Sequence, residues 1–485
     1  MEEPTPATKR LSPDLAVLVA IAALTRFTGL FHPRAVVYDE ALYEYYIGSY
    51  FSGKFYFNVH PPLGNLIYYW FAKLIGFDGN AMVAGDPAVP LRLVHAVAGT
   101  LVVAVFWWMM RELGASRRVA FLAGFLVAID NALVVDSRFI LIDQFLTLCV
   151  FLAPTLYLSA RRRTGRARLW RMFGVALVSG LAISIRWTGL SALGLTGIVW
   201  LFDTVKRPIQ WRRAIGEALM LALIPIAVYV VPFVPHFQKL TKTGNGDVLT
   251  MNYFQATLEG NHYFDPNAKR HFVRDFRMLN DRMMHTNAIM NTDVHIYATP
   301  WYSWPAMWRV FFMYGSGNLP GDRDARLELL GNPVVWYGTL LALLVLLVAV
   351  IRDRRRFTGY GWPFSFLLGG WAINYLPFAP IHRPLFLYSY FNSLIFSVGI
   401  AVLGVGIVLG WQAEVGAPWS LATLRRSRLY SAWAAGAVLG FAFFVPLTYA
   451  WPISRYNNVY HWSLPVKDSV EIEAIKDSIR KGLKR

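Results

Sequence analysis

Apolar runs recur along nearly the whole chain, and short polar gaps separate them. A helix needs about 17–25 mostly apolar residues to cross the hydrocarbon core of a bilayer. On that scale the pattern predicts eleven spans, near residues 13–31, 91–110, 119–135, 139–160, 170–185, 188–204, 214–234, 334–351, 361–380, 386–411 and 430–450. Residues 170–204 are too long for one ordinary span, and Arg186 and Trp187 interrupt them. Two helices meeting at that point is the better reading.

The gaps alternate in charge. Lys9 and Arg10 precede the first span, and Arg111, Arg117 and Arg118 follow the second. Arg161, Arg162, Arg163, Arg166 and Arg168 follow the fourth; Lys206, Arg207, Arg212 and Arg213 follow the sixth. Arg352, Arg354, Arg355 and Arg356 follow the eighth, and Arg425, Arg426 and Arg428 the tenth. With eleven spans all of these fall on one side, which the positive-inside rule makes cytoplasmic. The N-terminus is then inside, and the first apolar segment is expected to stay as a signal anchor, since no small-residue cleavage site clearly follows Met1 to Pro13. The expected organisation is a transmembrane domain over 1–450 with two long external loops, 32–90 and 235–333, and an extracytoplasmic tail, 451–485.

The first loop contains an aromatic, amphipathic stretch from Ala41 to Phe51, with Tyr43, Tyr46 and Tyr50 on one helical face, and a similar one from Pro62 to Phe77. Both are predicted as helices in the membrane interface; an aromatic belt is the plainer account of most of these rings. The tail from Lys467 to Arg485 is predicted as a mixed-charge surface helix.

Composition narrows the class. Of 485 residues, 56% are hydrophobic and only 16% charged, against about 45–50% and about 25% in soluble domains. With a mean hydropathy of +0.39, this excludes a disordered chain, a coiled coil and an ordinary soluble enzyme. The net charge of +18 sits in the gaps between apolar runs, so it marks topology rather than a nucleic-acid partner. A single cysteine, Cys149, rules out an intramolecular disulfide and a thiolate metal cluster.

Charges near membrane depth are costly and are functional candidates by default. Asp39 and Glu40 follow the first span; Asp136, Arg138 and Asp143 cluster between the third and fourth; Arg186 lies between the fifth and sixth; His382 and Arg383 lie between the ninth and tenth. On the predicted topology all converge on the outer face. A carboxylate there can deprotonate an acceptor hydroxyl, and arginines can hold a phosphate and stabilise the charge it takes on leaving. The combination fits transfer from a lipid-linked phosphosugar to a hydroxyl. Plainer roles stand beside these: Asp39 or Glu40 as a helix cap, Arg138 as a partner of Asp136 or Asp143, Arg186 and Arg383 snorkelling, and His60 beside the rigid Pro61-Pro62 turn. His262, His271, His285 and His295 show no metal-ligand spacing. No tightly bound cofactor or metal is expected, and dependence on a divalent cation stays open.

Tyr38-Asp39-Glu40, followed by Phe55-Tyr56-Phe57-Asn58-Val59-His60-Pro61-Pro62-Leu63-Gly64, resembles the first external loop of protein O-mannosyltransferases. Further stretches agree in order: Asp136-Ser137-Arg138-Phe139-Ile140-Leu141-Ile142-Asp143, Ser184-Ile185-Arg186-Trp187-Thr188-Gly189-Leu190, Trp301-Tyr302-Ser303-Trp304-Pro305, and Arg383-Pro384-Leu385-Phe386-Leu387-Tyr388 with Tyr390. The resemblance covers about residues 15 to 450. It implies an all-α C-type glycosyltransferase fold with eleven transmembrane helices, a polyprenyl-phosphate mannose donor, and inverting transfer to Ser or Thr hydroxyls of exported protein. By the same match, Asp39 and Glu40 belong to the catalytic acidic motif, Arg138 aligns with an arginine the family needs, and His60 shapes the first loop. Relatives can dimerise. The chain departs from the family at Asn58, often acidic there, at Asn65, often basic, and at Tyr388-Ser389-Tyr390, commonly Tyr-His-Tyr. The loop 235–333 is too short for the β-trefoil domain of eukaryotic members, which points to a prokaryotic form.

The expectation is a plasma-membrane mannosyltransferase with Asp39 or Glu40 as base and Arg138, His60, Arg186 and Arg383 at the donor phosphate or substrate. Two rivals remain: a related transferase acting on a lipid or cell-wall glycan, and a transporter or non-catalytic scaffold.

Overall fold

The computed structural model describes residues 12–460, apart from 78, 80–87, 207, 209, 290–296, 318, 382, 414–427, 455, 458 and 459. His295, His382 and the helix predicted at Lys467–Arg485 lie outside the described residues.

Each predicted span contains helix, because each is a long apolar run that satisfies its backbone internally, as lipid demands. Among the described residues, seven helical runs are long and apolar enough to cross a membrane: Val89–Glu112, Asp143–Ala160, Gly165–Ile185, Trp187–Val205, Trp211–Lys239, Pro333–Arg352 and Leu387–Val408. The first, third, ninth and eleventh predicted spans hold shorter helices, Pro13–Phe27, Arg117–Ala128, Gly361–Tyr375 and Arg428–Phe443. The third is shorter than its apolar run because Asp130 interrupts it. Its buried carboxylate accepts from Leu133 N–H (3.0 Å), Asn332 N–H (2.9 Å) and Trp336 Nε1 (2.9 Å), which caps a separate short helix, Asn131–Asp136. The break at Arg186 and Trp187 is present as predicted: one helix ends at Ile185, Arg186 is extended, and a 3-10 turn starts at Trp187.

Two small antiparallel pairs add to the helices. Phe311–Gly315 pairs with Arg326–Leu329, and Arg323–Asp324 with Ile453–Ser454.

The bundle's two ends differ in chemistry. At one end the basic gaps meet: Arg161 pairs with Asp203 (2.6 Å) and lies over Trp362, Arg162 approaches Glu112 (3.6 Å), and Arg168 with Trp200 grips Glu217. Ser116 N–H donates to the side-chain oxygen of Gln412 (2.8 Å). These residues lie in, or at the span ends beside, gaps predicted to share a side.

At the other end the two long loops are laced together. Phe55 N–H donates to the Lys242 carbonyl (2.8 Å) and Lys242 N–H to that of Gly53 (2.9 Å), while Thr243 N–H, donating to the Glu259 carbonyl (2.8 Å), ties the second loop to itself. The seam admits no side chain on one edge: a Cβ on Gly246 would sit 2.3 Å from the Phe57 nitrogen. Helices Glu40–Ser52 and Leu63–Leu74 lie in this cap, close to the bounds predicted for them.

Candidate functional site

The adjacent carboxylates Asp39 and Glu40 have opposite surroundings. Glu40 is fully buried. It faces Arg92 across two contacts, Nε to Oε1 at 2.8 Å and Nη2 to Oε2 at 2.6 Å. It also accepts from Val37 N–H (2.9 Å) and Ile140 N–H (2.9 Å). Its lone pairs are committed to holding the first loop against Arg92 of the second span and the Ile140 turn.

Asp39 opens the same helix but caps nothing with its side chain. It is half-buried, and among the described residues its carboxylate makes no side-chain hydrogen bond. Burial and the neighbouring Asp143 carboxylate raise its pKa to about 6, with Arg186 opposing them. The residue before it is strained: Tyr38 has φ +47°, a conformation that costs a bulky side chain and persists only where its surroundings hold it. Those surroundings are Phe311, edge-on to Tyr38 at 4.7 Å, with Tyr388 in turn edge-on to Phe311 at 5.7 Å. The strand pair therefore buttresses the Asp39 turn.

Asp143 starts the fourth span's helix, and Arg186 ends the fifth's. They pair at 2.6 Å while both remain partly exposed. The Nε of Arg186 is buried without a hydrogen-bond partner, an orphan donor beside a carboxylate with free acceptors. Such a donor suits an anionic ligand, since an unmet buried donor costs about 1–3 kcal/mol.

His60 and Arg383 join from two further segments. Burial and the guanidiniums of Arg186 and Arg383 hold the His60 imidazole well below its ordinary range, so it is neutral at pH 7. Arg383 donates to Asn287 Oδ1 (3.1 Å), and Asn287 Nδ2 reaches back to the Val59 carbonyl (3.1 Å). Asn287 thus ties the second loop to the first beside His60.

Arg138 stands apart from this cluster. It is fully buried, and its guanidinium donates to the carbonyls of Thr448 (2.7 Å), Gly29 (2.6 Å) and Thr28 (3.2 Å). It also packs on the Tyr449 ring, 4.4 Å from its centroid. Asp136 is buried and accepts from Gln144 (2.6 Å).

The structure therefore brings together Asp39, His60, Arg186 and Arg383 and places Glu40 and Arg138 in the supporting framework. Asp143, one of the charges expected at the outer face but given no role there, joins the site, as do Asn287 and Tyr388. Asp143 carried a usable signal, an acid at the start of a span. Asn287 carried none. Among the described residues no three His, Cys, Asp or Glu side chains group as metal ligands.

Family comparison accounts for almost all of the chain. The model for dolichyl-phosphate-mannose-protein mannosyltransferase matches residues 16–241, and that for the C-terminal four-transmembrane region of protein-O-mannosyltransferase matches 272–465. The chain belongs to the protein O-mannosyltransferase family. Protein O-mannosyltransferase 1 of Drosophila pseudoobscura pseudoobscura is 35% identical over 52% of this chain and 30% of its own length. The dolichyl-phosphate-mannose–protein mannosyltransferase 1 of Saccharomyces cerevisiae is 28% identical over 51% and 32%. The chain thus spans about a third of the length of these relatives. The S. cerevisiae Pmt1–Pmt2 complex bound to the sugar donor superposes with a TM-score of 0.79 at 17% identity, covering 92% of this chain and 91% of that one. The fold is therefore that of a C-type glycosyltransferase, embedded in the membrane through multiple passes.

Proposed function

We propose that this chain transfers mannose from a polyprenyl-phosphate-linked donor to Ser or Thr hydroxyls of exported protein, at the outer face of a prokaryotic plasma membrane, with inversion. The observation that carries this reading is the unencumbered Asp39 carboxylate, with a pKa of about 6, facing an arginine that has an orphan Nε.

In this reading Asp39 takes the proton of the acceptor hydroxyl as its oxygen bonds to the anomeric carbon. The bond from that carbon to the phosphate oxygen breaks, and the phosphate leaves with the electron pair as polyprenyl phosphate. Arg186 and Arg383 stabilise the leaving charge, which makes a general acid unnecessary. One displacement inverts the anomeric centre. Neutral His60 is suited to hydrogen-bond the sugar rather than to carry charge. Asp143 positions Arg186, Glu40 positions Asp39 through the Arg92 clamp, and Arg138 fixes the framework. The basic end of the bundle is then cytoplasmic by the positive-inside rule. Association into dimers is part of the proposal.

The test uses the purified chain in proteoliposomes, with labelled polyprenyl-phosphate mannose and a Ser/Thr-rich peptide. The expected result is peptide labelling that Asp39→Asn abolishes. Labelling that survives Asp39→Asn, or no labelling by the folded wild-type chain, overturns the assignment.

A further inference from the structure

The amphipathic helix Phe272–Ile289 lies beside a cavity of about 680 Å³ that plays no part in the site above. Arg274, Arg277 and Arg282 line this cavity with His271 and His285, and Asp281 is the acid among them. Met251, Tyr253 and Val273 supply an apolar wall. Arg274 is already drawn over the Tyr253 ring, 4.0 Å from its centroid. Val273, Met284 and Ile289 leave apolar side chains exposed on the helix.

Depth decides what such a surface meets. The helical run Trp211–Lys239 has 29 residues, and about 20 cross the hydrocarbon core. Its basic start at Arg212 and Arg213 takes up part of the excess, and the residues beyond the predicted end of the span at 234 stand at the level of the headgroups. The helix Phe272–Ile289 packs there: Phe276 meets Phe233 at 4.8 Å and Tyr229 at 6.1 Å, and Phe272 meets Phe237 at 6.1 Å. Tyr229 also hydrogen-bonds Asn280. The cations and exposed apolar side chains thus sit where lipid phosphates and upper acyl chains lie, the usual composition of a helix in the interface plane.

We propose that this cavity binds the phosphate headgroup of an anionic phospholipid of the adjacent leaflet. The same helix carries Asn287, which holds Arg383 and the Val59 carbonyl. A bound headgroup therefore steadies the second loop against the first at the site. Binding itself is independent of any sugar chemistry.

The test is hydrogen–deuterium exchange of the full chain in nanodiscs of phosphatidylcholine, with and without phosphatidylglycerol. Exchange in 272–289 is expected to slow on the order of tenfold with phosphatidylglycerol, given net positive charge at the lipid surface. The slowing is expected to vanish in Arg274→Gln/Arg277→Gln/Arg282→Gln. In the wild type it is expected to vanish at about 1 M salt, where screening acts within about 3 Å. Equal exchange in both lipids overturns the proposal, as does slowing that survives the triple substitution or high salt. Slowing by inorganic phosphate or an acidic peptide, but not by phosphatidylglycerol, also overturns it.

Discussion

Exchanging each of the paired acids for its amide should separate stability from chemistry. Glu40→Gln removes the charge facing a fully buried Arg92 and puts an amide N–H₂ where two of the four donors now converge. Losing one partner of a buried ion pair costs about 3–5 kcal/mol. Arg92 keeps the carbonyls of Pro33 (2.9 Å) and Ala35 (2.9 Å), which places the loss toward the lower end. Asp39→Asn goes the other way. The Asp39 pKa is raised to about 6 from an ordinary 3.8, so the folded state disfavours its charge by up to about 3 kcal/mol at 1.36 per unit. A raised carboxylate costs nothing at a pH below its unfolded value and its full amount above about 6. Asp39→Asn should therefore be at least as stable as wild type at pH 7, with the gap closing near pH 4, while transfer is lost. Reversible unfolding in SDS mixed micelles at the two pH values, beside the mannosyl-transfer assay, measures both. A wild-type-like Glu40→Gln together with a destabilised Asp39→Asn would refute the reasoning.

Other outcomes follow from the same geometry. Transfer by the wild type should fall about tenfold per unit below pH 6 as Asp39 protonates, read as kcat/KM against pH. Asp143→Asn removes a like charge from Asp39 and frees Arg186 to act on it, so that acid limb should move to lower pH. A limb that stays put or rises counts against Asp39 as the titrating group. Arg138→Ala should strip a donor from the buried Thr448 carbonyl, at about 1–3 kcal/mol, with smaller losses at the part-buried carbonyls of Thr28 and Gly29, lowering folded yield. A fully stable Arg138→Ala that has lost transfer would instead place Arg138 in the chemistry. Gly246→Ala should loosen the seam between the loops, since its Cβ meets the Phe57 backbone at 2.3 Å, and protease sensitivity of residues 242–260 reports it.

The apolar pattern located helix in every predicted run, because run length dictates helix in lipid, and seven of the helical runs among the described residues are long and apolar enough to cross a membrane. It misjudged the third, since a single Asp130 inside an apolar run reads as tolerable until its three donors are seen. The site was half legible. Charges at span ends marked Asp39, Arg186 and Arg383, but Asp39 and Glu40 are sequence neighbours, and only the fold shows which one faces Arg92. The framework contacts of Arg138 could not be read beforehand, because carbonyl partners leave no trace in a sequence. The strand pair under Tyr38 is short and lies in a polar loop, so neither length nor alternation announced it.

The arginine clamp at Arg138 also has a place in time. Its acceptors come from residues 28, 29 and 448, and a chain is made from its N-terminus onward. Thr28 and Gly29 precede the arginine in the chain, whereas Thr448 follows only in helix Val445–Tyr449. Until that helix is made the cation lacks its acceptor at 2.7 Å. Closure of this part of the framework therefore waits on a residue 310 positions downstream of the arginine.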